Sequence, residues 1–186
     1  VARVKIKNGE TKVIPSDRIL LGDPTHVCVV VRDVEKTAQI YSSLFGIGPF
    51  TVRQTETPPE RATVHGKPER YTLKFGYAKT ATIVLELVET VEGHTIYQEF
   101  LDRHGEGIHH IGFRAPPPLD RELKRWRDQG IEALQVNYRD DTRYGWAYMD
   151  AQAVAGCLLE IVCDPSLGWW ESLALAGDLK GPLGKA

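Results

Sequence analysis

The stretch Gly107-Ile108-His109-His110-Ile111-Gly112-Phe113-Arg114 decides the fold, because it repeats a weaker copy of itself 84 residues earlier, His26-Val27-Cys28-Val29-Val30-Val31. Each copy opens an apolar strand on a histidine, His26-Val27 in one and His110-Ile111 in the other. Each strand is followed by apolar residues at helical spacing, Val34, Ala38 and Tyr41, then Leu119, Leu123 and Trp126. Asp33 caps the first helix, and Gly46 and Gly130 close the two helices at the same distance from their histidines, each followed by isoleucine. Three further strands are expected in each half: Pro49 to Thr55, Tyr71 to Tyr77 and Thr82 to Val88, then Ala133 to Tyr138, Tyr144 to Met149 and Cys157 to Val162. Thr57 to Lys67 reads as a polar loop. An order of strand, helix, strand, strand, strand that occurs twice is an internal repeat. Its halves differ in loop length, with 60 residues from His26 to Glu86 and 50 from His110 to Glu160.

The repeat divides the chain into an N-terminal arm (1–23), a first βαβββ module (24–92), a helical connector (93–107), a second βαβββ module (108–164) and a C-terminal tail (165–186). It also carries chemistry. Glu86 sits within Ile83 to Val88 and Glu160 within Cys157 to Val162, each flanked by apolar residues on both sides. A carboxylate on a buried strand is costly unless it is paired or holds a metal. Two such residues, each at the equivalent place of a repeat that also bears a strand-borne histidine, point to one shared site. A pseudo-twofold axis between the halves would bring His26, Glu86, His110 and Glu160 together. Two imidazoles and two carboxylates suit one divalent ion, Zn, Ni, Co, Mn or Fe, with positions left for water or substrate. His109 is the neighbouring alternative to His110, and the match of His26-Val27 to His110-Ile111 favours His110. Cys28 shares the strand face of His26 and is read as a small buried hydrophobe.

These residues resemble the vicinal oxygen chelate superfamily, also called the glyoxalase/bleomycin-resistance/dioxygenase fold, over roughly residues 25 to 163. The resemblance implies an α+β fold, two tandem βαβββ modules forming a curved mixed-sheet half-barrel around a metal cleft. It also implies the same four ligands. Within the superfamily the pattern is most similar to methylmalonyl-CoA epimerases, through Gly105 to Phe113, Thr95-Ile96 to Phe100-Leu101 and Leu85-Glu86-Leu87. The pair Pro68-Glu69 resembles a Pro-Glu pair of those enzymes, and by that resemblance Glu69 is expected to serve as an acid/base group beside Glu86 and Glu160. Tyr144, Trp146 and Tyr148 alternate along one strand and depart from the epimerase pattern. They are expected to line the substrate pocket and to suit a bulky or aromatic small molecule.

The expected activity is that of a divalent-metal-dependent isomerase or epimerase, with proton transfer next to a metal-chelated carbonyl. A glyoxalase-like lyase, an extradiol-type dioxygenase acting on an aromatic substrate and a non-catalytic binding protein are the alternatives. An extradiol enzyme uses two histidines and one carboxylate, so the second carboxylate at Glu86 argues against it. Composition excludes other classes. Lys plus Arg total 23 against 25 for Asp plus Glu, so nothing drives nucleic-acid or membrane binding. No aliphatic run approaches a bilayer span, and Val1 to Lys5 shows no apolar signal region. Cys28, Cys157 and Cys163 form neither a disulfide framework nor a CxxC metal site, which suits a reduced cytoplasmic protein. Trp169-Trp170 and the apolar stretch Leu173 to Ala176 suggest a homodimer contact.

Overall fold

The computed structural model describes residues 2–5, 11–14, 19, 21–139 and 143–163. The arm contributes an antiparallel hairpin, β1 (Ala2–Lys5) and β2 (Thr11–Ile14). The first half consists of β3 (Pro24–Val30), α1 (Val34–Phe45), β4 (Thr51–Thr57), the short β5 (Ala62–Val64) and β6 (Lys67–Pro68), β7 (Tyr71–Lys79) and β8 (Val84–Gly93). A connecting helix, α2 (Ile96–His104), leads to the second half: β9 (Gly107–Arg114), α3 (Leu119–Arg127), β10 (Ala133–Tyr138), β11 (Gly145–Met149), a one-turn α4 (Gln152–Ala155) and β12 (Leu158–Cys163). Ten strands form one curled mixed sheet in the order β4-β7-β8-β3-β9-β12-β11-β10-β5-β6. The expected α+β half-barrel is the observed architecture.

Local chemistry explains the elements. Asp33 caps α1 by accepting from Lys36 N, and Gly46 ends it in the left-handed conformation at φ 67°. Thr95 caps α2 in the same way through Gln98 N. One face of α1 buries Val34 and Ala38 against Val31 and Leu87, and α3 buries Leu119 and Trp126 against Ala147, Met149 and Ile161. The equivalent helices of the two halves thus cover the same side of the sheet. The other side carries the third cluster, in which Ile96, Tyr97 and Leu101 of α2 pack on Cys28, Val30 and Tyr148.

The segment read as a polar loop folds differently. Its β5 leaves the first half and pairs antiparallel with β10 of the second, Ala62 beside Asn137 and Val64 beside Gln135. Ala62 and Val64 are both buried, so the short strand is held by its own apolar alternation as well as by the ladder. Ile19 of the arm packs against the second cluster, while Leu21 is exposed. Trp169, Trp170 and the rest of the tail from 164 onward lie outside the described residues.

Candidate metal centre

Register puts the four expected ligands on one face. The central strands β3 and β9 run antiparallel with His26 beside Gly112 and Cys28 beside His110. β8 runs parallel to β3 with Glu86 beside Cys28, and β12 runs parallel to β9 with Glu160 beside Gly112. Side chains alternate faces along a strand, so His26, Glu86, His110 and Glu160 all project to the same side from four adjacent strands. Each is at most 5% exposed.

The four side chains meet. Nε2 of His26 lies 3.0 Å from Nε2 of His110, 2.7 Å from Oε2 of Glu160 and 3.5 Å from Oε2 of Glu86. Nε2 of His110 lies 3.4 Å from Glu160 Oε2 and 3.6 Å from Glu86 Oε2. Donors bound to one ion at about 2.0–2.2 Å, at tetrahedral or octahedral angles, stand roughly 2.8–3.6 Å from each other. These five separations have that size, and His26, Glu86 and His110 offer donor atoms that all lie within 4.8 Å of one another. Glu160 Oε2 is buried and accepts no well-aligned hydrogen bond despite its short distance to His26. A buried oxygen left without a partner costs about 1–3 kcal/mol, and a cation would satisfy it. The donor set therefore fits a divalent ion.

Outer contacts aim the rings. His26 Nδ1 is held at 2.9 Å by the Thr25 hydroxyl, itself buried. His110 Nδ1 is 2.9 Å from His109 Nδ1, and His109 also donates to the Ile96 carbonyl at the start of α2. With His109 donating there, its Nδ1 is left to accept from His110 Nδ1–H, which turns the lone pair of His110 Nε2 toward the cluster. Burial, then the neighbouring His110, holds the His109 pKa well below the ordinary value, so His109 stays neutral. Gly112 leaves the space that the His26 ring fills: a Cβ there would stand 2.5 Å from His26 Nδ1 and 2.8 Å from Nε2.

The carboxylates differ in proton affinity. Burial raises the Glu86 pKa, and the two histidines offset that only in part. Burial would raise Glu160 as well, but the charge and close approach of His26, with His110 beside it, carry it far below the ordinary carboxylate value. His26 has the opposite balance. Burial would lower it, and Glu160 and Glu86 together leave it raised. Glu86 also accepts hydrogen bonds from the Cys28 thiol and the Tyr77 hydroxyl, whose pKa values burial pushes well up.

The two carboxylates of the cluster floor a cavity of about 710 Å³ also lined by Tyr77, Tyr144, Trp146 and Tyr148 among others. That volume suits a small organic molecule. All three aromatic residues singled out from the sequence thus face the cavity. Tyr148 also packs on the His110 ring at 5.0 Å and meets the Tyr97 hydroxyl with its own. Glu69 is not brought to the cluster. It is absent from the cavity lining, and its carboxylate lies 3.6 Å from His94 beside Glu99. Glu69 and Arg70 join β6 to β7, and the Glu69 side chain turns toward His94. The proton-transfer role expected of Glu69 gains no support from this position. Sequence reading missed Thr25, His109 and Tyr77 as partners of the ligands. Only Tyr77 left a signal, the alternation Tyr71, Leu73, Phe75, Tyr77 along β7.

Residues 25–149 match the family model of the Glyoxalase/Bleomycin resistance protein/Dioxygenase superfamily. No curated protein matches the chain. Among solved structures, a hypothetical protein from Bacillus halodurans C-125 is 16% identical, with 78% of this chain and 96% of that one covered at a TM-score of 0.55. A variant of Streptomyces coelicolor methylmalonyl-CoA epimerase in complex with 2-nitronate-propionyl-CoA is 21% identical, covering 79% and 97% at 0.54. The methylmalonyl-CoA epimerase of Mycobacterium tuberculosis is 19% identical, covering 87% and 99% at 0.51. At these identities the likeness is one of fold.

Proposed function

We propose that this chain, which belongs to the Glyoxalase/Bleomycin resistance protein/Dioxygenase superfamily, is a divalent-metal-dependent isomerase or epimerase that moves a proton on the carbon next to a chelated carbonyl. The observation that carries the reading is the convergence of two buried imidazoles and two buried carboxylates, the carboxylates lining the floor of a cavity and one of them with an unsatisfied oxygen. His26, Glu86, His110 and Glu160 would hold the ion, Zn, Ni, Co, Mn or Fe. The bound ion would polarise the substrate carbonyl and stabilise negative charge as the neighbouring C–H is lost.

The residues of the chain supply the proton traffic. Glu86 faces the cavity, accepts a hydrogen bond from the Tyr77 hydroxyl and is the group assigned to take up the proton. Glu160 stays ionised and keeps the histidine rings aimed. Tyr148, Trp146 and Tyr144 exclude water along one wall. Return of the proton to the opposite face is epimerisation, and return to the next carbon is isomerisation. The aromatic wall favours one alternative, an extradiol-type dioxygenase on an aromatic substrate, while the second carboxylate weighs against it. The proposal includes a cytoplasmic homodimer, which light scattering of the purified protein tests.

Metal analysis with a solvent-deuterium exchange screen tests the central claim. One divalent ion per chain, lost in His26→Ala and His110→Ala, together with exchange at the carbon beside the carbonyl of 2-methyl-3-oxoacyl thioesters or aromatic α-hydroxy ketones, is expected. Full turnover by Glu160→Ala, or no metal under any condition, would overturn it.

A further inference from the structure

We infer that Asn137 is a specificity donor of the cavity: its amide N–H binds a carbonyl-type oxygen on a part of the substrate away from the cluster, and a hydrogen-bond relay from the start of α2 fixes it as a donor. The assignment rests on the reading of the cavity as the substrate site and needs no metal at the cluster. The relay starts at Ile96, the first residue of α2, whose N–H has no acceptor within the helix. That N–H donates to Gln135 Oε1 at 3.2 Å. A backbone N–H can only donate, so the Gln135 oxygen faces it and Nε2 faces the other way. Nε2 donates to the Tyr71 hydroxyl at 3.1 Å. The Thr57 hydroxyl bonds to the same group and fills its second lone pair. Tyr71 then gives its one proton to Asn137 Oδ1. With the oxygen so engaged, Asn137 Nδ2 is left as a donor, buried and without a hydrogen-bond partner. Gln135, Tyr71 and Asn137 are each at most 3% exposed, so bulk water does not re-sort the relay.

Asn137 lines the cavity together with Thr57, Tyr71 and Trp146. Register fixes its place there. Glu160, Tyr148 and Gln135 form one row across β12, β11 and β10, and Val162, Trp146 and Asn137 form the parallel row two residues along. Two residues along and two strands across put Asn137 about 12 Å from Glu160 at the backbone. An oxygen bound at Asn137 therefore belongs to a different part of the substrate from an oxygen held at the cluster. A buried donor left unpaired costs about 1–3 kcal/mol. A site with such a group discriminates against an analogue that lacks the partner, because the group then stays unpaired. The chemistry that answers an amide N–H is a ketone, ester or amide oxygen.

Two ligand pairs test this, each pair differing only in a C=O replaced by C=CH2. Zn-loaded protein is titrated calorimetrically with 1-(4-acetylphenyl)-2-hydroxyethanone, which has an oxygen pair for the cluster and a ketone at the other end, and with its 4-isopropenyl analogue. Metal-free 15N-labelled protein is titrated with acetophenone and with α-methylstyrene while the Asn137 side-chain amide signal is followed. The readout is the ratio of ketone to alkene affinity, compared between wild type and variants so that the difference in hydrophobicity cancels. Asn137→Asp presents an oxygen in place of the N–H donor, and the ratio should fall roughly ten- to hundredfold. Tyr71→Phe frees the amide to turn, and the ratio should fall severalfold. In the wild type the ketone should move the Asn137 amide signal and the alkene should leave it in place, a measurement that stands even if a variant fails to fold. A ratio unchanged in both variants, ketone binding that leaves the Asn137 amide signal unmoved, or no binding of either ketone would overturn the inference. A protein that takes up no metal but shows the acetophenone response keeps the donor and loses the metal centre. One that binds Zn but has the same ratio in wild type and variants keeps only the metal centre.

Discussion

Substituting Gly112 by alanine tests the metal centre without touching any ligand. The added Cβ would meet His26 Nδ1 at 2.5 Å and Nε2 at 2.8 Å, with Cε1 nearer still. Ordinary contact begins at about 3.5 Å, so the ring must retreat by about 1 Å or turn. Metal–nitrogen distances are held to within about 0.2 Å, so the displacement is roughly five times the tolerance. Disturbing a group that only orients a ligand costs about 10- to 100-fold in metal affinity, and moving the ligand itself should reach at least the upper end. That is about 2.7 kcal/mol. The backbone of Gly112 needs no left-handed conformation, so a loss would come from the ring and not from backbone strain. Overpacking should lower stability by roughly 1–3 kcal/mol, or about 2–12 °C in Tm for a chain of this size. Gly107→Ala is the matched control on the same strand, since a Cβ there meets only Phe100 at 3.8 Å. Zn titration by calorimetry, with circular dichroism to verify folding, reads the result. A folded Gly112→Ala protein that binds Zn within about threefold of the wild type would refute the placement of His26 as a ligand.

Three further outcomes follow from the same geometry. His109→Ala removes the acceptor that turns His110 toward the cluster, and metal affinity should fall about 10- to 100-fold while Tm in the metal-free state changes far less; competition with a metal-sensitive dye measures it. Adding Zn at about one hundred times its dissociation constant should stabilise the protein by about 2.7 kcal/mol, raising Tm by roughly 5–11 °C, and EDTA should reverse it in scanning calorimetry. In metal-free protein the raised pKa of His26 favours the proton-bound folded chain, while the lowered pKa of His109 works the other way, but only up to about its unfolded value of 6.5. Stability from His26 is fully present below that unfolded value and is lost as pH rises through the raised folded value, so Tm should fall above about pH 7. Zn competes with that proton, and its apparent affinity should instead rise over the same range.

The four residues proposed as ligands were legible as a cluster because a repeat exposes them. Buried strand carboxylates and strand-initial histidines are each ambiguous alone, but His26 with Glu86 and His110 with Glu160 recur at equivalent places, and the sheet register brings them to one face. Tyr144, Trp146 and Tyr148 were legible through alternation. What pattern could not reveal depends on contacts between halves. Nothing local marks Ala62 to Val64 as the strand that crosses to β10, because a three-residue strand has too little periodicity to distinguish it from a polar loop. With that crossing unseen, Arg61 and Asn137 could not be placed together. His109 was weighed as a competing ligand, whereas the structure makes it the neighbour that sets the ring of His110.

The repeat also suggests more symmetry than the site possesses. Glu86 and Glu160 occupy equivalent strands, yet the first has a raised pKa and the second a lowered one. The cause lies in their partners. Glu160 stands 2.7 Å from His26, which is closer than Glu86 stands to either histidine, and the positive charge favours the ionised form of whichever carboxylate is nearer. His26 reaches Glu160 because its strand neighbour is Gly112, over whose empty side its ring can lie; the corresponding neighbour of His110 is Cys28, which keeps a side chain. One glycine in place of a cysteine at pseudo-equivalent positions thus separates two carboxylates that the repeat makes identical. Environment-driven separation of this kind is how a pair of like groups comes to act as one fixed anion and one proton acceptor. If so, filling the Gly112 side should move the two pKa values toward each other, and 13C chemical shifts of the glutamate carboxyls through a pH titration of metal-free Gly112→Ala should show Glu160 titrating nearer its ordinary range. Persistence of the wild-type separation in that variant would place its origin elsewhere than in the reach of His26.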